Sequence, residues 1–538
     1  MTKTTERFAA AAIFAVGILL LYLTAPHHGE FWWSDSPRHA LNGAFLKDFF
    51  ATLPHDPKAW AMQYYAQYPA LTILFYPPLF YVILAPAYAI FGVSQSTALA
   101  VVLLHYFALS YGLYVLSRRW TGPIAAIAIG LSAMAVPGIA LWGRQVMLEI
   151  PSLAFAVWAM VALQQYTEKA RPALLYVCVF LLLCASYTKL NAAFLFPVLA
   201  VTVLRQSGPR ALRDKRVWLA AILAVVGLIP MAVLTLKFGS ANVQSVVSIP
   251  HARAARDTLS GWIWYLRHFP ELIGWPLLLL AGVAAAFAIA KRNIAKLSRS
   301  DAVLLISWFS IVYLVLSLID LKEARHALLI LPPLLVAAGL ILPALLPARR
   351  AGEMLFALFV LGTGIYTWKY APVPTISGYR EAAQWIARHA PQNAVVVFSG
   401  KRDGSYIFNM RTLENRRDIT TVRSDKLLLG ISIRRDLGVT QKDVGEAQIA
   451  RMLDDDGVSY VVAQDDFWTD LAVMKRFQDV LRSPHFKEVA AIPVIANIPT
   501  PDRMLRIYRN LGDVNPSPGM IELQLQIIGR DVKGKIGK

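Results

Sequence analysis

Apolar residues in this chain come in blocks. Up to about residue 370 they form long runs, at 8–25, 72–92, 97–117, 123–141, 150–166, 173–187, 191–204, 217–236, 272–290, 302–319, 326–346 and 353–370. Most of these are about 18–21 residues long, the length a helix needs to cross a bilayer core. Beyond Tyr370 the pattern becomes that of ordinary soluble protein. Glu381–His389, Ala447–Leu453 and Phe467–Leu481 have helical spacing, whereas Ala394–Phe398, Val458–Ala463 and Met504–Tyr508 suit strands. The pattern therefore predicts a polytopic α-helical membrane portion over 1–370 and a small soluble α/β domain over 371–538.

Charge decides how many of the twelve runs cross. If all did, the pair Arg118–Arg119 and the cluster Arg205, Arg210, Arg213, Lys215 and Arg216 would lie on the outer face, against the positive-inside rule. The run 72–92 carries Pro77, Pro78 and Pro86, which break a regular helix. Taken as a kinked helix dipping into the outer leaflet, it leaves about eleven spans. The inner loops then hold the basic residues just named together with Lys3, Arg7, Lys169, Arg171, Lys291, Arg292, Lys296, Arg299, Arg349 and Arg350.

This predicts a cytoplasmic N-terminus and a periplasmic or otherwise extracytoplasmic C-terminal domain, in a bacterial cytoplasmic (inner) membrane. A long first outer loop covers 26–96, with interfacial helices. A second, at 237–271, is aromatic and basic (Trp262, Trp264, Tyr265, Arg267) and is expected to lie in the interface. Short outer loops fall at 142–149, 188–190 and 320–325. Pro26-His27-His28 after the first run offers no small-residue cleavage site, so 8–25 is expected to be a retained first helix.

Composition agrees: 57% of residues are hydrophobic, 16% are charged, and mean hydropathy is +0.49. The net charge of +19 would suggest nucleic acid in a soluble chain. Here it concentrates in the inner loops, and no basic face interleaved with aromatics is visible, so no nucleic-acid partner is expected. The two cysteines, Cys178 and Cys184, lie in one apolar run and point in different directions on a helix. They are expected to be buried thiols, with no disulfide framework. The C-terminal domain has no phosphate-binding glycine motif and no nucleophile elbow.

Ionisable residues close to membrane depth point to function. Four outer segments carry them: Asp35-Ser36-Pro37-Arg38-His39-Ala40, Arg144 to Glu149, Thr188-Lys189, and Lys322-Glu323-Ala324-Arg325-His326. Singly, Asp35 could be a helix cap, Glu149 a partner of its helix dipole and Lys189 a snorkelling side chain. Together they set two carboxylates and several cations around one outer cleft. Cations bind a phosphate, and a carboxylate removes a proton from a nucleophile. A negatively charged, lipid-linked substrate suits such a cleft.

With these motifs the chain resembles the type-C glycosyltransferases, which use polyprenyl-phosphate sugars as donors. The branch it is most similar to holds the aminoarabinose transferases of lipid A, the protein O-mannosyltransferases and related transferases of lipopolysaccharide cores. The likeness covers about residues 1–370. It rests on the order and spacing of Asp35-Ser-Pro-Arg38-His-Ala, Tyr76-Pro-Pro-Leu79, Arg144, Met147-Leu-Glu149-Ile-Pro151, Thr188-Lys189, and Arg325-His326 ahead of Leu331-Pro-Pro333.

The resemblance implies an inverting transfer from a polyprenyl-phosphate-linked sugar to an envelope acceptor: a glycolipid, a polysaccharide or a protein. It makes Asp35 the base that activates or positions the acceptor and Glu149 the second acidic residue. It makes Arg38, His39, Tyr76, Arg144, Lys189, Lys322, Arg325 and His326 candidates for holding the donor phosphate or lining the cleft. Two departures bear on a metal: Ser36 stands where many members have a second acidic residue, and Glu149 where many have Asp. Asp35 and Glu149 could still hold Mg²⁺ or Mn²⁺ with substrate oxygens. Two other classes fit a polytopic chain. A transporter or flippase would show mid-membrane charges, broken helices and two repeated halves, and neither such charges nor a repeat is found. A non-catalytic scaffold would not need the outer charge cluster.

Overall fold

The computed structural model describes residues 2–238, 254–290, 297–431, 435, 438–516, 520–525 and 530–535. Part of the expected second outer loop, 239–253, and the inner-loop residues Lys291, Arg292 and Lys296 lie outside the described residues.

Seven helices are long and apolar enough to cross a bilayer: Lys3–Leu23, Gln95–Ser117, Leu190–Arg213, Lys215–Phe238, Arg299–Ser317, Ala324–Leu345 and Arg349–Tyr370. Pro123–Ala135 and Pro137–Gly143 make an eighth if taken as one span bent by 64°. By length and composition, seven or eight spans thus stand where the sequence predicts eleven. The other three positions hold Glu149–Lys169, which is more polar, and the shorter apolar helices Pro172–Thr188 and Trp275–Ile289. The discarded run 72–92 contains only a 13-residue helix, Leu79–Phe91, with Pro86 inside it. Along Lys215–Phe238 the apolar side chains face outward, as a bilayer surface would require.

The two ends of the bundle differ. At one end the basic residues pair with acids close to helix ends, on neighbouring helices or one turn along their own. Arg118 meets Glu6 at 2.5 Å, Arg119 meets Glu168 and Asp301, and Arg349 meets Glu353 at 3.2 Å. The other end carries residues 26–96, folded into three helices, Asp35–Thr52, Pro57–Gln67 and Leu79–Phe91. In Pro57–Gln67, Asp56 caps the N-terminus through the amides of Lys58 and Ala59, and Pro57 pre-sets the first turn. Asp35–Thr52 lies beneath the C-terminal domain.

That domain is an α/β unit. Its five-stranded sheet runs Thr420–Arg423, Val395–Ser399, Val458–Ala463, Met504–Asn510, Phe486–Pro493; the first two pairings are parallel and the last two antiparallel. Val395–Ser399 is buried throughout, as expected of a central parallel strand. Tyr379–His389, Glu446–Asp455 and Ala472–Arg482 are amphipathic helices. The third is shorter than the predicted Phe467–Leu481 because 467–471 form turns.

The domain grips the first outer loop through its Asp403–Arg411 helix. Asn409 donates to the carbonyl of Gly29, and Phe408 meets Phe31 edge-on at 5.3 Å. Gly29 has φ +81°, and a Cβ there would fall 2.1 Å from the Asn409 side-chain oxygen. Gly29→Ala should therefore destabilise the docked domain by about 1–2 kcal/mol from backbone conformation alone. A melting temperature equal to wild type in detergent would refute this.

Candidate active site

The bend at Val136–Pro137 starts the site. A residue before proline is held extended, and Val136 has φ −73° and ψ 135°. The following short helix, Pro137–Gly143, carries Trp142 under the outer loop, where it packs against Trp33 at 5.0 Å. Five residues separate the end of that helix from Glu149, which opens the next. Lys189 ends Pro172–Thr188 in extended conformation. Arg325 lies in the 3-10 turn Ala324–Ile330, ahead of Pro332 and Pro333 in the first turn of Leu331–Leu345. Asp35 is the first residue of its helix. Each side chain thus sits at a helix boundary on the same end of the bundle.

These four residues touch. Arg325 Nη1 donates to Asp35 Oδ2 at 3.0 Å, and its Nε lies 3.7 Å from Glu149 Oε1. Lys189 Nζ donates to the same Glu149 oxygen at 2.6 Å. Glu323 also accepts from Arg325, whose guanidinium lies 5.7 Å above the Trp142 ring. Among the described residues Arg325 Nη2 makes no hydrogen bond, and the buried Glu149 Oε2 has no partner. Glu149 is 4% exposed, so an uncompensated charge there would be costly.

Burial works to raise the Asp35 carboxyl, but the Arg325 guanidinium, helped by His39 and Arg38, outweighs it and holds the group below the usual carboxylate range. Burial pushes the Tyr76 phenol far up, with the nearby Asp35 charge adding to the effect, so it stays protonated. Burial also takes the His39 imidazole down to about 4, against the pull of Asp35 and Glu149. His39 is therefore neutral near pH 7. It shares a hydrogen bond with the Tyr81 hydroxyl at 2.8 Å and meets Tyr76 edge-on at 4.7 Å. His326 lies 3.9 Å from Glu323.

Three candidate cations lie elsewhere. Arg38 turns to the C-terminal domain, forming two hydrogen bonds to Asp403 at 2.9 and 2.8 Å. Lys322 donates to the carbonyls of Leu316, Ser317 and Ile319, where it caps the C-terminal end of Arg299–Ser317. Arg144 donates to Ala140 and Ala371, the closing carbonyls of two other helices, and faces a separate opening of about 320 Å³ beside Glu30 and Trp368. In each case helix ends or a remote carboxylate claim the charge.

Two further contributors, Glu323 and the pair Trp33–Trp142, are not evident from the sequence. Glu323 stands between Lys322 and Arg325, but nothing local says which way it turns. The two tryptophans are far apart in the chain.

A divalent cation does not fit between Asp35 and Glu149 as they stand. Arg325 occupies the space between them and already neutralises both, while Lys189 donates to the Glu149 oxygen that Arg325 faces. Among the described residues no group of three His, Cys, Asp or Glu side chains is placed to hold a metal.

Residues 76–233 match the family model described as dolichyl-phosphate-mannose-protein mannosyltransferase. No curated protein matches the chain. Among solved structures, the chain is similar to ArnT from Cupriavidus metallidurans bound to undecaprenyl phosphate. That alignment has TM-score 0.62 and 15% identity, covering 96% of this chain and 100% of the other. It is also similar to the archaeal oligosaccharyltransferase AglB from Archaeoglobus fulgidus in complex with an inhibitory peptide and a dolichol-phosphate. There the TM-score is 0.54 and the identity 12%, covering 94% of this chain and 76% of the other.

Proposed function

We propose that this chain, whose fold is that of the type-C glycosyltransferases, moves a sugar from a polyprenyl-phosphate donor to an envelope acceptor at the outer face of the membrane. The observation that carries the reading is the meeting of Asp35, Glu149, Lys189 and Arg325, from four separate outer segments, at one end of an apolar bundle. It is supported by the ArnT structure of similar fold, which holds undecaprenyl phosphate.

The donor's chain stays in lipid and its phosphate reaches the cluster. Arg325, through its uncommitted Nη2, and Lys189 draw the phosphate oxygens and balance charge as the bond to the sugar breaks. The acceptor hydroxyl attacks the anomeric carbon from the face opposite the phosphate. Its oxygen–carbon bond forms as the carbon–phosphate-oxygen bond breaks. Polyprenyl phosphate leaves with the electron pair, and Asp35 takes the hydroxyl proton. Glu149, through its free oxygen, orients the acceptor. Trp33 and Trp142 offer an apolar wall for the sugar ring.

The direct test is a mass comparison of envelope glycolipids, polysaccharides and proteins from cells with and without the gene, followed by assay of the purified protein with the donor so identified. A sugar-sized mass difference and release of polyprenyl phosphate are expected. No difference in any fraction would sink the proposal. Transfer should also survive excess EDTA, since Arg325 fills the place a cation would take. Activity lost to EDTA and restored by Mn²⁺ or Mg²⁺ would overturn that point.

A further inference from the structure

The helix bearing Asp35 is held at both ends by the C-terminal domain. Asp35–Thr52 and Asp403–Arg411 lie side by side in the same direction, joined by an ion pair at each end. Near the start, Arg38 gives two hydrogen bonds to Asp403, which also takes Arg423 at 2.7 Å. Arg423 is fixed in turn by Asp425 at 2.6 Å. Near the end, Asp48 accepts from Arg411 at 2.8 and 2.6 Å, from Arg417 at 3.0 Å and from Tyr64 at 3.0 Å. The Arg411 side chain is 0% exposed and that of Asp48 is 4% exposed. These are not loose surface contacts.

The segment just before Asp35 is gripped as well. Arg402 donates to the Trp32 carbonyl, lies 4.5 Å over the Trp32 ring, and is braced by Asp502 at 3.1 Å. Ser405 donates to the Phe31 carbonyl at 3.4 Å. Gly404 lies so close to Pro37 and Arg38 that an added Cβ would fall 3.1 and 3.4 Å from them. Arg38 is one helical turn beyond Asp35, so whatever fixes Arg38 fixes the direction in which the Asp35 carboxylate leaves the backbone.

We infer that Asp403 is a positioning residue for Asp35: through Arg38 the C-terminal domain sets the register of the Asp35 helix, making that domain a structural half of the active site. This rests on the transfer reading proposed above. A reacting group displaced by about 1 Å can lose roughly 100-fold in rate. Binding of the donor phosphate, by contrast, depends on Arg325 and Lys189, which the clamp does not touch.

The test is Asp403→Asn in the full-length protein. It keeps the size of the side chain and removes its charge. The expected result is a kcat reduced about 10- to 100-fold, with donor KM within about twofold of wild type. Faster amide hydrogen exchange over 29–40 is expected alongside it, and not over Leu331–Leu345. Unchanged kcat in folded protein, or kcat and KM worsening together, would overturn the inference. If Asp403→Asn does not fold, Arg38→Lys replaces it: this keeps the positive charge but loses the planar guanidinium, whose Nη2 spans both Asp403 oxygens while Nη1 holds the Ala70 carbonyl. It should give a smaller kcat loss with the same exchange pattern, and wild-type kcat there is the contrary result. Should wild type itself transfer nothing, the transfer reading fails on that fact, while exchange over 29–40 still reports on the clamp.

Discussion

Asp35→Asn should reduce transfer by roughly 10²- to 10⁴-fold, the usual contribution of a positioned general base. Asn fills the same space and can still accept from Arg325. The helix that bears it stays clamped through Arg38 and Asp48, and Arg325 keeps Glu149 and Glu323 as counter-charges. The variant should therefore insert, fold and retain donor with near wild-type affinity, so that the loss falls on kcat. The check is release of polyprenyl phosphate under single-turnover conditions, beside a melting curve. Full activity would remove Asp35 from the mechanism. Wild type should show a flat profile from neutral pH down to about pH 5, because Arg325 keeps the Asp35 carboxyl below its ordinary value of 3.8.

Much of this architecture is legible in the sequence, for reasons tied to particular residues. The strand Val395–Ser399 is readable because it is β-branched and apolar without interruption. The charged cluster is readable because charge at a helix boundary is costly and loop charge sorts the two ends of the bundle. Discarding 72–92 for its prolines puts Asp35, Glu149, Lys189 and Arg325 at one end, and in the structure they meet. What stays hidden is pairing over long separations. Asp403–Arg411 is the clearest case. All nine of its residues are buried, so no polar face alternates with an apolar one and the helical period is silent. With that helix unseen, Arg38 has no visible partner and is easily assigned to the phosphate. Lys322 and Arg144 mislead differently. In sequence a cation that closes a helix end looks the same as one that awaits a ligand; only the nearby carbonyls separate them.

Arg325→Gln should be as damaging as losing the base, and by a different route. Arg325 faces Asp35, Glu149 and Glu323 together, so its removal leaves carboxylates crowded at a buried site with Lys189 as the near cation. Loss of one strong donor to developing negative charge costs about 10²- to 10³-fold in rate. Here donor KM should rise too, because the phosphate loses a permanently charged donor that Gln cannot replace. A pH signature accompanies the loss. In wild type, burial and the Arg325 charge pull the Asp35 carboxyl in opposite directions, and the charge prevails. Without Arg325 burial prevails and the carboxyl rises. Asp35 is then protonated, and idle as a base, at pH values where wild type is active, so the acid limb of the profile moves to higher pH. Stability follows the same sign. A lowered carboxyl stabilises the fold above its unfolded value of 3.8 and ceases to as pH falls through the folded value. Wild type should lose that contribution only in strong acid, and Arg325→Gln should lack it throughout. An Arg325→Gln profile with an unmoved acid limb would show that Arg325 does not set the charge on Asp35. An unmoved donor KM would show that it does not hold the phosphate.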